Sequence, residues 1–203
     1  MNLNVFLEPA VDLAQLRRIL DELGHPGRVD TIRGWDKKTQ AKLYEAARGF
    51  HSITLDDFVP PSAEPLGEVI HHGKNTLPTF SHFQKRFCKP ARSEASASEA
   101  SASELLGYNH QTMMWVTGPG YFVVHPSETA GEVDIDYLRV PKDKPAAWPP
   151  VQDNDHGLAR LVYGGMVDVM RGISQHVSIG RAKKKGKFVD NWFVLCREDA
   201  PSS

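Results

Sequence analysis

Alternation of apolar and polar residues is clearest in the second half of the chain, where it predicts four β-strands. These strands cover residues 121–125, 132–140, 176–182 and 187–197, and a short basic turn joins the last two. Between the two pairs, apolar residues at helical spacing predict a helix over 157–173. The order strand, strand, helix, strand, strand indicates an antiparallel sheet with one face covered by the helix.

The first 50 residues predict two helices that form a hairpin. Leu13, Leu16 and Leu20 mark the apolar stripe of the first helix, and Asp36 is suited to the N-cap of the second. A DNA-binding helix-turn-helix is disfavoured here, because acidic and basic residues are nearly balanced and the connection is long. We therefore expect the hairpin to pack on the main sheet.

The middle of the chain predicts shorter and less regular elements. Residues 52–59 favour a strand, and the run "VIHHGKN" at 69–75 is typical of the end of another. Phe83 and Phe87 stand at helical spacing within 79–88, which favours a short amphipathic helix. Residues 93–104 repeat Ser, Glu and Ala with no apolar face, which predicts a flexible low-complexity insertion.

These elements predict an α+β fold in a single domain of residues 1–203. The helical hairpin lobe would occupy 1–50, and the antiparallel sheet with its helix would occupy 118–198. Both faces of the last strand are apolar, since Trp192 and Val194 alternate with Phe193 and Leu195. A second layer must therefore cover the sheet. That layer could come from the N-terminal helices, the segment 79–88 or the partner in a homodimer.

Composition narrows the classes of function. The 203 residues carry a formal net charge of −1, which argues against a strong sequence-independent attraction to nucleic acid. We find no secretory signal and no apolar run long enough to cross a membrane. Two cysteines cannot form a disulfide framework, so we expect a cytoplasmic protein whose thiols are free.

Two groups of polar residues are candidates for chemistry. His71 and His72 are adjacent on a strand, so they point to opposite faces and one of them should point inward. Asp134 and Asp136 share the polar face of their strand, where they could act as a carboxylate pair or simply face water. No metal site is predicted, because no local histidine or cysteine spacing typical of zinc sites occurs. The sequence does not indicate a cofactor.

The main functional hypothesis is a protein that binds a small polar or anionic ligand between the sheet and the segment 69–90. Its proposed lining comprises His71 or His72, Lys74, Asn75, Tyr108, Asn109, Tyr121, Asp134, Asp136 and His176. One alternative is an enzyme that uses a histidine base with Asp134 or Asp136 in the same pocket. Another is an interaction module whose basic turn, Lys183–Lys185, contacts nucleic acid.

Overall fold

The structure, a computed structural model, describes residues 11–79, 81–91, 104–112 and 114–200. It is a closed barrel of eight antiparallel strands, with short helices outside the wall and across its two ends. The strands are β1 (Val69–Asn75), β2 (His82–Cys88), β3 (Leu105–His110), β4 (Tyr121–Pro126), β5 (Val133–Asp136), β6 (Met166–Gly172), β7 (Val177–Lys184) and β8 (Lys187–Arg197). The helices are α1 (Leu13–Glu22), α2 (His25–Arg33), α3 (Lys37–Ala46), α4 (Leu55–Phe58), α5 (Met114–Thr117) and α6 (Gly157–Val162).

Each strand pairs with the next along the chain, and β1 then pairs with β8 to close the barrel. In the closing register His72 lies opposite Cys196, and Lys74 lies opposite Val194. The expected α+β fold, with a helical hairpin packed on an open sheet, is therefore wrong. The sheet closes on itself, and it contains strands in segments for which the sequence favoured helix.

The predicted helix over 157–173 divides into α6 and β6. Gly165 adopts a left-handed φ of +69° between them, a conformation that glycine tolerates and that ends the helix. Within β6, Asp168 and Met170 point into the barrel, and the outward-facing Val169 is also buried. Because both faces of β6 are covered, its apolar residues do not alternate cleanly and mimic a helical pattern.

Two other predicted elements also differ from the structure. The segment 79–88 contains strand β2 rather than the predicted helix. The spacing of Phe83 and Phe87 could not distinguish the two structures, because residues four apart share a face in either one. Residues 52–59 contain α4 rather than a strand. The helix begins at a capping box in which Asp57 accepts a hydrogen bond from the backbone N–H of Thr54 at 2.7 Å.

Other local predictions are confirmed. Strand β4 lies where the alternation placed it, and β5 (Val133–Asp136) occupies the first half of the strand predicted over 132–140. Asp36 caps α3 through a 2.8 Å hydrogen bond from the N–H of Thr39. Lys185 and Gly186 have φ values of +49° and +79°, as a tight two-residue turn between β7 and β8 requires. Both cysteines are free and buried.

Most of the predicted low-complexity insertion at 93–104 lies outside the described residues. Within the described part of the chain, no helix is both long and apolar enough to span a bilayer.

Aromatic rings packed against glycine fill much of the barrel interior. Gly107 on β3 faces Phe122 of β4, and Gly180 on β7 faces Phe193 of β8. A Cβ atom at Gly107 would lie only 2.2 Å from the ring of Phe122 and 2.6 Å from the carbonyl oxygen of Arg86. These glycines therefore make room for large side chains in a barrel whose interior is narrow.

The outer wall and one end of the barrel are covered by the N-terminal half of the chain. Helices α1 to α3 pack on the outer face of β7 and β8, around Val194 and Cys196. Helix α4 closes the first end, which we call the α4 end. There, Arg197 donates hydrogen bonds to the carbonyl oxygens of Asp56 and Asp57 at 3.0 and 2.8 Å. Phe58 from the same helix packs into the interior core.

Replacing Gly107 by alanine should lower the free energy of unfolding by about 1–3 kcal/mol, because the added methyl group overpacks the interior against Phe122 and backbone. Urea denaturation would measure this change. The matched control is Gly27→Ala in α2, where the new Cβ would meet the side chain of Leu23, with its nearest methyl group 3.2 Å away. Stability there should stay equal or rise, through helix propensity. Equal stability of both variants would contradict the packing described.

Candidate functional site

A lysine lies inside the barrel, near the end opposite α4. Alternation along β2 points Phe83, Lys85 and Phe87 inward. Only 2% of Lys85 is exposed, although an ammonium group is among the groups least often fully buried. Such a charge requires partners, and the neighbouring strands supply them.

Three side chains from three other parts of the barrel wall converge on Lys85. Its Nζ donates hydrogen bonds to Asn109 Oδ1 at 2.9 Å, to the hydroxyl of Tyr137, and to Asp168 Oδ2 at 3.5 Å. Asn109 comes from β3, Tyr137 directly follows β5 and Asp168 comes from β6. Asn109 also donates to the carbonyl oxygen of Gly120 at 3.1 Å, which fixes the orientation of its amide.

Aromatic rings form the remaining walls around the ammonium group. Lys85 Nζ lies 4.9 Å from the ring centres of Phe122 and Tyr137 and 5.0 Å from that of Phe193. Ring faces at this distance attract a cation but cannot replace its hydration fully. The site therefore combines a polar head, made by Lys85 and its three partners, with an aromatic body.

Burial shifts the proton equilibria of this group. It lowers the pKa of Lys85 from 10.5 to about 8, while the adjacent Asp168 opposes the shift. Burial also raises the pKa of Asp168, against the stabilising effect of Lys85, and raises that of Tyr137 well above its ordinary range. Lys85 and Asp168 thus form a buried pair of opposite formal charge beside two neutral partners.

Two short helices and a tyrosine cover this end of the barrel. We call α5, α6 and Tyr163 the lid. The ring of Tyr163 stacks on Tyr137 at 5.3 Å between centres and occupies the space in front of Gly120. Its hydroxyl accepts a hydrogen bond from Gln111 Nε2 at 3.0 Å. The lid thus lies directly over the Lys85 network.

The lid helices are weakly anchored. Neither α5 nor α6 has a buried side chain. Large apolar residues point outward instead, with Trp115 82% and Leu161 71% exposed. Segments with so few buried apolar contacts open at a small free-energy cost. Phe83 faces inward yet is partly exposed.

The structure separates most residues of the predicted pocket. Asn109 belongs to the Lys85 network, and His71 points inward as one of the two histidines was expected to do. His71 lies toward the α4 end, where its Nε2 is 2.9 Å from the carbonyl oxygen of Phe58. Burial lowers the pKa of His71 to about 3, so its imidazole is neutral and donates this hydrogen bond.

The remaining predicted residues do not converge. The segment 69–90 forms β1 and β2, which are part of the wall itself rather than a separate layer over the sheet. His176 lies 3.5 Å from Asp199, and Asn75 accepts a hydrogen bond from the N–H of Leu77 at 3.0 Å. Strand alternation and burial place these further predicted residues on the outer face: His72, Lys74, Tyr108, Tyr121, Asp134 and Asp136.

Lys85, Tyr137, Asp168 and Tyr163 were missed by the sequence analysis. A signal for two of them exists in the sequence, since Lys85 stands between Phe83 and Phe87 at alternate positions. Asp168 likewise interrupts an apolar run of β6. A charge at an inward position of a strand indicates a buried functional group, but only once the segment is known to be a strand.

Comparisons of the chain with known protein families, curated proteins and solved structures found no match.

The buried lysine predicts a specific dependence of stability on pH. Between about pH 8 and pH 10.5 the unfolded chain keeps the proton on Lys85 while the folded protein has lost it. The free energy of unfolding should therefore rise with pH in this window relative to a Lys85→Met/Asp168→Asn variant. We expect a relative gain on the order of 1–2 kcal/mol between pH 8 and pH 10, measured by urea denaturation. A constant difference across this range would contradict the burial of Lys85.

Proposed function

We propose that the protein binds a small ligand at the lid end of the barrel, with an uncharged acceptor oxygen at Lys85 and an apolar body among the aromatic rings. The observation that carries this proposal is the buried Lys85 network beneath the weakly anchored helices α5 and α6. Barrels of eight strands are wide enough either to be filled by side chains or to hold one small ligand.

The network is a poor device for stability alone. A buried ion pair is often replaceable by apolar residues of similar volume without loss of stability, and sometimes with a gain. The contact between Lys85 and Asp168 is also long, at 3.5 Å, for a pair that must offset the desolvation of two charges. A role in recognition accounts for a polar group at this depth better than a structural role does.

Charge balance indicates the chemistry of the ligand head. Lys85 and Asp168 already neutralise one another, so a ligand carboxylate would bring an unbalanced charge into the interior. An uncharged carbonyl oxygen would accept a hydrogen bond from Lys85 in place of the long 3.5 Å contact to Asp168, without that penalty. The sequence suggested either a polar or an anionic ligand, and we therefore favour an uncharged polar ligand.

Binding requires movement of the lid and of aromatic rings. Phe83 is partly exposed, and its ring centre lies 5.7 Å from Lys85 Nζ, which makes it a candidate entry point to the site. A ligand would enter when α5 and α6 separate from the strand ends, with the rings of Phe83 and Phe193 turning aside. Lids with few buried contacts open on the timescale of local unfolding.

The alternative functions receive less support. An enzyme with a histidine base acting with Asp134 or Asp136 would need groups on both sides of the barrel wall, since the inward histidine is His71. The basic turn is already engaged with the lid end: Lys184 donates to the carbonyl oxygen of Leu161 at 3.0 Å. The two free thiols favour the cytoplasm as the location.

Three eight-carbon probes of different charge test the proposal: octan-2-one, octanoate and octylammonium. Isothermal titration calorimetry at pH 7 should show that octan-2-one binds most tightly of the three. The Lys85→Met variant should bind octan-2-one about tenfold to 100-fold more weakly, because it loses a charge-assisted hydrogen bond.

The control variant is Lys187→Met, which removes an exposed lysine from the start of β8 and should leave the affinity unchanged. Tightest binding of octanoate would show instead that the site takes an anion. If none of the three probes binds, or if Lys85→Met binds octan-2-one as tightly as the natural chain, Lys85 is not a ligand-binding residue.

A further inference from the structure

A second cluster of reactive side chains lies on the outer face of the barrel, where β1 and β8 meet. His72 on β1 and Cys196 on β8 are cross-strand partners that face outward. Glu198 follows two residues after Cys196, and its backbone N–H donates to the carbonyl oxygen of Ile70 at 2.9 Å. This bond continues the ladder between the strands and places Glu198 beside His72.

Helix α2 adds a histidine to this seam. His25 is the first residue of α2, and its ring lies 5.1 Å from that of His72 between centres. One donor atom from each of His25, His72 and Glu198 lies within 4.8 Å of the other two. Among the residues that the structure describes, no other three histidine, cysteine or acidic side chains have donor atoms this close together.

Glu198 contacts a histidine of the cluster, while its neighbour Asp199 pairs with an arginine. The buried Arg28 forms an ion pair with Asp199, while Glu198 Oε1 lies 2.6 Å from His72 Nε2. Two imidazoles and one carboxylate are the donor set of catalytic zinc sites, which keep a fourth position for water. Local spacing could not reveal this set, since its members come from three distant parts of the chain.

We propose that His25, His72 and Glu198 bind one divalent ion of the zinc class. Zinc–nitrogen bonds are about 2.0–2.1 Å long, so donors around one ion lie about 3.3 Å apart. With donor atoms at most 4.8 Å apart, side-chain rotation alone can bring them to that separation. The proposal does not depend on the Lys85 site.

The exposure of the cluster decides whether water can reach a bound ion and act as its fourth ligand. The side chains of His72 and Glu198 are 20% and 38% exposed. Glu198 also lines a surface cleft of about 580 Å³ together with Pro60, Val69 and Ala200. Water can therefore reach the ion, and we assign it the fourth position. Cys196 lies 4.0 Å from His25 Nδ1 and is buried, so it lies behind the histidine rather than toward the cleft.

A bound ion would clamp α2 to the closing seam of the barrel. The ligands belong to α2, β1 and the chain just after β8, which the ion would hold together in the folded state only. Binding to the native state alone raises the melting temperature with ion concentration. For a chain of this length we expect a rise of about 5–10 °C at a 100-fold excess over the dissociation constant.

The test uses tag-free full-length protein, stripped with a chelator and titrated with ZnCl₂ and with CoCl₂. We expect one equivalent of Zn²⁺ to bind, with the rise in melting temperature described above. Co²⁺ should give the intense visible absorption of a four-coordinate site without a thiolate charge-transfer band. A thiolate band would overturn the assignment of water as the fourth ligand.

His25→Ala, His72→Ala and Glu198→Gln should each weaken Zn²⁺ binding by more than 100-fold, beyond the 10–100-fold typical of an outer-shell partner. The matched control is His156→Ala, whose histidine is 83% exposed at its side chain and lies outside the cluster. Glu198→Gln keeps size and fold, so it answers the question even if a histidine variant fails to fold. Absence of stoichiometric binding, or unchanged binding in Glu198→Gln, would overturn the site.

Discussion

Pairing of β1 with β8 is the constraint on which the rest of this structure depends. Once the sheet closes, every strand has an inner and an outer face, and alternation assigns each side chain to one of them. Lys85 becomes an interior group for this reason, while His72 and Cys196 remain outside, in reach of α2. The same closure removes the exposed edges that an open sheet would have to protect.

The two ends of the barrel are physically different. Helix α4 closes one end through Phe58 in the apolar core and through hydrogen bonds from Arg197 to its carbonyl oxygens. The other end holds the polar network of Lys85, Asn109, Tyr137 and Asp168 under helices without buried side chains. This difference is the reason that the proposed ligand would enter at the lid end.

Sequence patterns predicted the local structure best where apolar and polar residues alternate along a strand. The inward-facing Val133 and Ile135 alternate with Asp134 and Asp136 on the outer face, and β5 was found. Where both faces are covered, as in β6, the alternation disappears and the apolar run resembles a helix. The spacing of Phe83 and Phe87 fits either structure, so β2 was missed and the strand count was too low to suggest a barrel.

The candidate site was harder to predict than the strands, because it depends on contacts between distant segments. Asn109 was named as a ligand-binding residue, but Lys85 and Asp168 were not, since neither belongs to a local motif. Their proximity follows from the register that pairs Lys85 with Asn109 and Ile135 with Asp168 around the barrel. Register in a closed sheet is set by all of its strands together, which a single sequence does not reveal.

The titration of the Lys85 side-chain nitrogen tests the central claim most directly. Nuclear magnetic resonance of protein labelled with ¹⁵N and ¹³C in lysine can follow the Nζ and Cε signals of Lys85 against pH, with Lys85→Met identifying them. The account predicts a midpoint near pH 8, because burial lowers the pKa of Lys85 to about 8. A midpoint near 10.5, the ordinary value for lysine, would place this side chain in water and contradict the interior site.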